Sequence, residues 1–326
     1  MNTTGIHHVT AVAGDPTESV RFYADVLGLR LVKRTVNFDD THTYHLYFGD
    51  ETGSPGTAMT FFPFGEGRPG RPGRGQAVAT SFVVPAGSLD YWRDRLESHD
   101  VTVGEEGERF GANVLPFEDG DGQPLELVEG ETSVEPWADG PVPEEYALRG
   151  FHGVTLQSAN PDATGRVLEL LGFERTDEAG DRMRYVADGD RATVVDLLTR
   201  ESPRGRPGVG TVHHVAFRVP DAETQTEWRE KLSEAGQNVT PRKDRQYFES
   251  IYFREPGGVL LEVATDGPGF TADESVESLG SDLKLPPWLA EDRDRIEANL
   301  PSLDGVAETG TEPEVDAGAE TGEVSD

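Results

Sequence analysis

Short runs of alternating apolar and polar residues recur along the chain, and each is followed by an amphipathic segment. The first run, Ile6-His7-His8-Val9-Thr10, precedes a predicted helix with Asp15 as N-cap and Pro16 at its first position. Alternation indicates a half-buried strand, and the capped segment indicates a helix that packs on a sheet. We therefore expect a strand, a helix and further strands that end at the apolar run 58–62.

The same order of elements recurs four times. The later copies begin near Ala77, Phe151 and Val212 and end in the runs 125–128, 193–198 and 258–263. A strand, a helix and three strands per copy predict an α+β fold of four βαβββ modules. In chain order we expect two tandem domains, residues 1–140 with modules one and two and residues 146–275 with modules three and four, followed by an extension over 276–303.

Composition limits the chemistry available to this chain. Its 326 residues can bury a full core, and the absence of cysteine excludes disulfides, thiolate metal sites and cysteine nucleophiles. The beginning of the chain lacks a basic segment followed by an apolar one, and no apolar run approaches the roughly 18 residues that span a bilayer. We therefore expect a soluble, cytoplasmic protein.

The charge is strongly acidic, with a formal net charge of -32. Such a charge argues against binding to nucleic acid or to an anionic membrane, because both would be repelled. Arginine supplies most of the positive charge, since the lysines are only Lys33, Lys231, Lys243 and Lys284. This acidic, lysine-poor composition predicts a halophilic protein, in which molar salt screens the self-repulsion.

Two segments are predicted to lie outside the modules. Residues 65–75 are rich in glycine, proline and arginine and are predicted to link modules one and two. Residues 304–326 are rich in acidic and small residues with little to bury, so we expect a disordered, solvated tail.

The candidate chemistry lies in two histidine doublets, His7-His8 and His213-His214, and in Glu262. A lone strand histidine is usually a core residue, but two histidines and one carboxylate form the facial ligand set of iron sites. Alternation allows only one ring of each doublet to reach a given side of its strand. Glu262 lies in an otherwise apolar run, where an unpaired carboxylate costs several kcal/mol and a metal removes that cost.

Several longer strings are more specific than the repeat. They resemble the vicinal oxygen chelate superfamily of glyoxalases, bleomycin-resistance proteins and extradiol dioxygenases, and within it the ring-cleaving dioxygenases that act on hydroquinones. The resemblance covers nearly the whole chain apart from the tail. The strings are His7 to Thr10, Leu31 to Asp40, Tyr44 to Asp50, Arg149 to His152 and Arg245 to Gly258.

The resemblance implies that His8, His214 and Glu262 are the metal ligands, with Fe(II) as the expected ion and Mn(II) as the alternative. It implies an extradiol-type cleavage of a hydroquinone or catechol in which both atoms of O₂ enter the product. The partners would then be a small aromatic diol and O₂, while the sequence leaves homo-oligomerisation open.

The resemblance also suggests residues that assist the reaction. Tyr252 and Arg245 resemble the acid-base and phenolate-stabilising residues of hydroquinone dioxygenases. His7 and His213 are predicted either to position the substrate or to support the ligands by hydrogen bonds. For all four residues, a purely structural role, in strand packing or a surface ion pair, is the alternative.

His152 is the competing ligand. It is assigned here to the position of His8 in module three, and in two-domain catechol dioxygenases modules three and four supply the metal ligands. The family resemblance favours a site between modules one and four instead. Glu126 ends module two without a histidine partner and is predicted to be a strand-edge charge.

Two other activities share this fold. A glyoxalase-type lyase usually has a second carboxylate or a glutamine in the partner module, and the run Met59-Thr60-Phe61-Phe62 offers neither. A small-molecule-binding protein without a metal is normally about half as long, and the histidine doublets argue against it.

Overall fold

The computed structural model describes residues 2–65 and 67–303. The predicted acidic tail, 304–326, lies outside the described residues. Strand, helix and three strands follow one another four times, which confirms the predicted α+β fold of βαβββ modules. The connection over residues 65–75 joins modules one and two, as predicted.

Modules one and two supply the first eight strands. The elements of module one are β1 (Ile6–Ala13), α1 (Pro16–Val20), which continues as a π-helical segment (Arg21–Val26), β2 (Arg30–Asn37), β3 (Asp40–Gly49) and β4 (Ala58–Pro63). The elements of module two are β5 (Gln76–Val84), α2 (Leu89–Ser98), β6 (Gly107–Arg109), β7 (Ala112–Glu118) and β8 (Pro124–Glu129).

Modules three and four repeat this order. The elements of module three are β9 (Phe151–Gln157), α3 (Pro161–Leu170), β10 (Phe173–Ala179), β11 (Arg182–Ala187) and β12 (Val194–Leu198). The elements of module four are β13 (Thr211–Val219), α4 (Ala222–Glu234), β14 (Lys243–Asp244), β15 (Glu249–Arg254) and β16 (Leu260–Thr265). The extension contains short 3₁₀ turns and α5 (Arg293–Glu297).

Helix starts follow local side-chain chemistry. The Asp15 carboxylate accepts hydrogen bonds from the backbone N–H groups of Thr17 and Glu18, and Asp221 caps α4 in the same way through Thr224. These caps satisfy N–H groups that have no partner inside a helix. Each helix buries an apolar face against a sheet, with Trp92 on α2 and Trp228 on α4 fully buried.

The strands form two eight-stranded sheets, and each sheet combines modules from both halves of the chain. Modules one and four form one sheet in the order β14-β15-β16-β13-β1-β4-β3-β2. Modules two and three form the other in the order β10-β11-β12-β9-β5-β8-β7-β6. The first strands of two modules lie antiparallel at the centre of each sheet. Each sheet therefore contains strands from both predicted domains, residues 1–140 and 146–275. The division into these domains stays a prediction about the order of the modules along the chain.

The two inter-module linkers run beside each other. Residues 69–74, between β4 and β5, form bridges with residues 204–209, between β12 and β13. The Arg71 N–H donates to the Arg206 carbonyl at 2.8 Å, and the Arg206 N–H donates back at 2.9 Å. Through these two linkers the chain leaves the first sheet after module one and returns to it for module four.

A buried lysine on module one holds the segment that precedes the extension. Lys33 on β2 is fully buried and contacts the carboxylates of Asp273 and Glu274, just before the extension. The Tyr247 hydroxyl donates to Asp273 at 3.0 Å, and its ring lies 4.9 Å from the lysine nitrogen. No helix in the described part of the chain is both long and apolar enough to span a bilayer.

Candidate metal centre

The first sheet brings His8, His214 and Glu262 together. β1 and β13 are antiparallel neighbours, and β16 lies parallel to β13, so the three side chains meet near the centre of the sheet. The Glu262 carboxylate lies 2.9 Å from Nε2 of His214 and 3.4 Å from Nε2 of His8, and the two Nε2 atoms are 3.3 Å apart. All three side chains are buried, Glu262 completely.

These distances suit a metal ion. Ligand atoms about 2.1 Å from an ion and at right angles to one another lie about 3.0 Å apart, close to the separations here. Two imidazoles and a carboxylate are also the donor set of a facial triad. Within residues 2–65 and 67–303, no second group of three such ligands comes together.

The first histidine of each doublet contacts the second. Nδ1 of His7 lies 2.9 Å from Nδ1 of His8, and Nδ1 of His213 lies 2.7 Å from Nδ1 of His214. If Nδ1 of each ligand carries the proton and donates it to the preceding ring, its Nε2 lone pair points toward the metal position. Both doublets therefore share one arrangement, which in this tautomer presents unprotonated Nε2 atoms.

A β-bulge in each strand explains how both rings of a doublet meet. Along β1 and β13 the pairing skips one residue on each strand, His7 on β1 and His213 on β13. The extra residue of a bulge redirects its side chain. The prediction that only one ring of each doublet reaches the metal position agrees with the structure, because His8 and His214 join Glu262 while His7 lines a separate pocket.

A pocket of about 190 Å³ opens beside the three ligands. His8 and His214 belong to its wall, and His213, which is exposed, lines it as well. Its other walls are largely aromatic, with Phe38, Phe62, Phe64, Phe248 and Tyr252. A larger cavity of about 640 Å³ lies between α1 and the 98–102 segment, and it contains none of the predicted site residues.

Arg245 and Tyr252 both line this pocket, where they contact each other. Nε of Arg245 donates to the Tyr252 hydroxyl at 3.2 Å, and the Tyr252 ring packs edge-on against His214. Burial, with a further contribution from the Glu262 carboxylate, raises the pKa of Tyr252 above its usual range. Tyr252 is therefore a neutral phenol beside the ligands, able to donate a proton or a hydrogen bond.

The module-one side of the pocket carries polar residues to which we assigned no role from the sequence. Nε2 of His45 lies 2.9 Å from the Thr60 hydroxyl, and Nδ1 lies 2.8 Å from the Tyr47 hydroxyl. Thr60 pairs with Thr10 across β4 and β1, as Glu262 pairs with Ala216 across β16 and β13. Module one thus has a threonine where module four has its carboxylate. The period-two spacing of His45 and Tyr47 on β3 is the signal that could have identified them.

The second sheet contains the counterpart of this site without its ligands. The pairing of β5 and β9 skips Val78 and His152, as that of β1 and β13 skips His7 and His213. His152 therefore corresponds to His7, and Gly153 corresponds to His8. The assignment of His152 to the position of His8 is wrong by one residue.

The carboxylates of the second sheet are paired with arginines. Arg109 binds Glu126 through two hydrogen bonds of 2.7 and 2.8 Å, and Arg184 binds Asp196 through two of 2.8 and 2.9 Å. The prediction that Glu126 is a strand-edge charge is wrong, because Glu126 is 6% exposed. In the second sheet, guanidinium groups therefore supply the positive charge that balances the buried carboxylates.

His152 makes a pH prediction possible. Burial, and then the nearby Arg184, lower the pKa of His152 to about 4. Between pH 6.5 and 4 the unfolded chain binds a proton at this residue that the folded chain does not, so the contribution of His152 lowers stability as the pH falls, by at most about 1.4 kcal/mol per pH unit. His152→Gln should make the decline in stability with falling pH less steep, as measured by urea unfolding of metal-free protein at pH 7, 6 and 5. An unchanged slope would contradict the lowered pKa.

Comparisons with known proteins agree on one family. A family model described as the glyoxalase/bleomycin resistance protein/dioxygenase superfamily matches residues 5–127 and 167–263. A Bacillus subtilis protein named as a ring-cleaving dioxygenase, MhqO, is 48% identical over 300 residues, which are 91% of this chain and 96% of that protein.

A second relative and a solved structure extend this agreement. The chlorohydroquinone/hydroquinone 1,2-dioxygenase of Sphingobium indicum is 40% identical over 303 residues, which are 90% of this chain and 94% of that enzyme. A crystal structure of a Bacillus subtilis protein titled as a dioxygenase superposes with a TM-score of 0.90 at 48% identity, covering 92% of this chain and 97% of that one.

Proposed function

The chain belongs to the glyoxalase/bleomycin resistance protein/dioxygenase superfamily, and from this membership and the geometry of its centre we propose that it is a metal-dependent, extradiol-type ring-cleaving dioxygenase acting on a hydroquinone or a catechol. Relatives that match nearly the whole chain, at 40 to 48% identity, are named as ring-cleaving or hydroquinone dioxygenases. The observation that carries the proposal is the convergence of His8, His214 and Glu262 beside an aromatic-lined pocket.

The size of the pocket suits a single ring. A cavity of about 150 Å³ is large enough to bind benzene, so about 190 Å³ holds one substituted ring. Phe62 and Phe248 offer aromatic faces for that ring, while Arg245 and Tyr252 offer hydrogen-bond donors for an oxygen on it. The pocket thus combines apolar walls with a few polar groups, as small-molecule sites do.

We assign Fe(II) to the centre, with Mn(II) as the alternative. When bound, the ion supplies a Lewis acid and a template with open positions for a ring oxygen and dioxygen. In this proposal, His7 and His213 hold the ligand rings in the tautomer that leaves Nε2 free. Arg245 stabilises the ring phenolate, and Tyr252 holds the proton that is returned during ring opening.

The lyase alternative receives less support from the structure. A second carboxylate or glutamine would have to lie at the position of Thr60, whose hydroxyl instead contacts His45 and Thr10 at 2.9 and 2.8 Å. Cytoplasmic location and a halophilic origin stay predictions from the sequence.

Anaerobic reconstitution tests the function. Protein loaded with Fe(II) should consume oxygen when a substituted hydroquinone or catechol is added, and with ¹⁸O₂ both labelled atoms should enter the ring-opened product. Mn(II)-loaded protein in parallel identifies the active metal. Isomerisation of a thiol-aldehyde adduct without oxygen uptake would contradict the proposal and favour the lyase.

A further inference from the structure

The turn between β2 and β3 lies at the mouth of the candidate pocket. Asn37, Phe38 and Asp39, here called the hairpin tip, all line the pocket. The ring of Phe38 packs against Trp288 of the extension at a centroid distance of 5.6 Å. The hairpin tip thus forms part of the module-one wall and is supported from outside by the extension.

Ion pairs join the hairpin tip to module four. The Asp39 carboxylate accepts a 2.8 Å hydrogen bond from a terminal nitrogen of Arg245, and Nζ of Lys243 lies 3.2 Å from both of its oxygens. Burial would raise the pKa of Asp39, but the hydrogen bonds from Arg245 and Lys243 outweigh it and lower the pKa below its usual value. Asp39 is therefore an ionised partner for both cations.

Arg245 contacts both Asp39 and Tyr252. One guanidinium nitrogen faces Asp39 while Nε faces the Tyr252 hydroxyl at 3.2 Å. The backbone presents Arg245 from a tight turn, in which the Tyr247 N–H donates to the Arg245 carbonyl at 2.8 Å and Gln246 has a φ of 67°. A planar guanidinium held at two of its edges keeps one orientation, whereas a single contact leaves its long side chain free to rotate.

The exposure of Asp39 indicates whether its ion pairs stabilise the fold or only position Arg245. The Asp39 side chain is 58% exposed, and ion pairs of such exposed groups contribute little to folding. Arg245 is only 16% exposed and points into the pocket wall. The contact should therefore affect what happens in the pocket more than whether the chain folds.

We propose that Asp39 is a positioning residue for ring cleavage, which holds Arg245 in the orientation that contacts Tyr252. This inference rests on the proposed function. Because Asp39 lies on module one while Arg245 and Tyr252 lie on module four, the pair Arg245–Tyr252 is fully oriented only when the hairpin tip lies over the pocket. Modules one and four thus both contribute residues to the acid-base groups, as they do to the metal ligands.

Asp39→Asn tests this role, because it removes the charge and keeps the shape. We expect kcat for oxygen uptake to fall by about 10- to 100-fold, as for other residues that orient groups from outside a site, with KM changed much less. The urea midpoint of unfolding should stay at the wild-type value. Lys243→Gln is the matched control, since it removes the other cation at Asp39 and leaves Arg245 in place, and its kcat should stay within about two-fold of wild type.

A double-variant comparison shows whether Asp39 acts through Tyr252. In the Tyr252→Phe background, Asp39→Asn should cause a smaller fold-loss of kcat than in the wild-type background, because only the contact of Arg245 with the ring phenolate then remains to be disturbed. The same fold-loss in both backgrounds, or wild-type kcat in Asp39→Asn, would overturn the inference.

A crystal structure of Asp39→Asn separates this inference from the proposed function. We expect Arg245 to leave the Tyr252 hydroxyl in that variant. An unchanged Arg245–Tyr252 contact would refute the positioning role whatever reaction the protein catalyses. Failure of the wild-type protein to consume oxygen with any aromatic diol would instead count against the proposed function.

Discussion

Glu262→Gln is expected to abolish metal binding and oxygen uptake together. The substitution keeps the volume of the side chain but replaces a buried negative charge with a neutral amide beside two imidazoles. An ion held by two neutral nitrogens alone would lose the anionic ligand that offsets its charge in this buried place. The fall in metal affinity should therefore exceed the roughly 10- to 100-fold typical of residues outside the ligand set.

Metal content after reconstitution and dialysis measures this effect, together with an oxygen electrode. His8→Ala and His214→Ala should behave like Glu262→Gln. Glu126→Gln is the matched control, because it makes the same change at a buried carboxylate of the second sheet, where arginine supplies the positive charge. That variant should keep one metal ion per chain. A Glu262→Gln protein with wild-type metal content and turnover would disprove the ligand assignment.

Lys33→Met is expected to lower the free energy of unfolding by about 3 to 5 kcal/mol. Methionine fills much of the same space but leaves the carboxylates of Asp273 and Glu274 without their buried cation, and Glu274 is itself fully buried in its side chain. Removing one partner of a buried pair costs more than the pair contributes, because the remaining charge stays desolvated.

Urea unfolding at neutral pH measures the effect of Lys33→Met. Lys284→Met is the control, since Lys284 is 25% exposed and lies 3.7 Å from Glu274, and its loss should cost less than about 1 kcal/mol. Adding Glu274→Met to Lys33→Met should recover part of the stability, because an apolar pair needs no compensation. A Lys33→Met protein within about 1 kcal/mol of wild type would show that the site admits water.

The parts of the fold that depend on neighbouring residues could be predicted from the sequence. Caps such as Asp15 and Asp221 and alternating strands act over a few positions, so the order of elements within each module was recovered in all four copies. The resemblance to ring-cleaving dioxygenases selected His8, His214 and Glu262, and the structure brings these three residues together.

Features that depend on distant pairing could not be predicted in this way. One extra residue in a bulge shifts the alternation, so the contact between His7 and His8 and the true counterpart of His152 became visible only in the strand register. Asp39 lies in a turn with no periodic pattern, and its partner Arg245 is 206 residues away. The burial of Glu126 depends likewise on Arg109, which a strand pattern does not reveal.

The pairing of the first module with the fourth has a consequence for synthesis on the ribosome. Modules two and three are consecutive, so their shared sheet can form before module four has emerged from the ribosome. In the first sheet, β1 cannot pair with β13 until module four has emerged. Closing so long a segment makes the joining of β1 to β13 a slow, non-local step. A nascent chain released before Glu262 is added would carry His8 without the carboxylate of the ligand set, so capture of a metal ion would require the synthesis of module four.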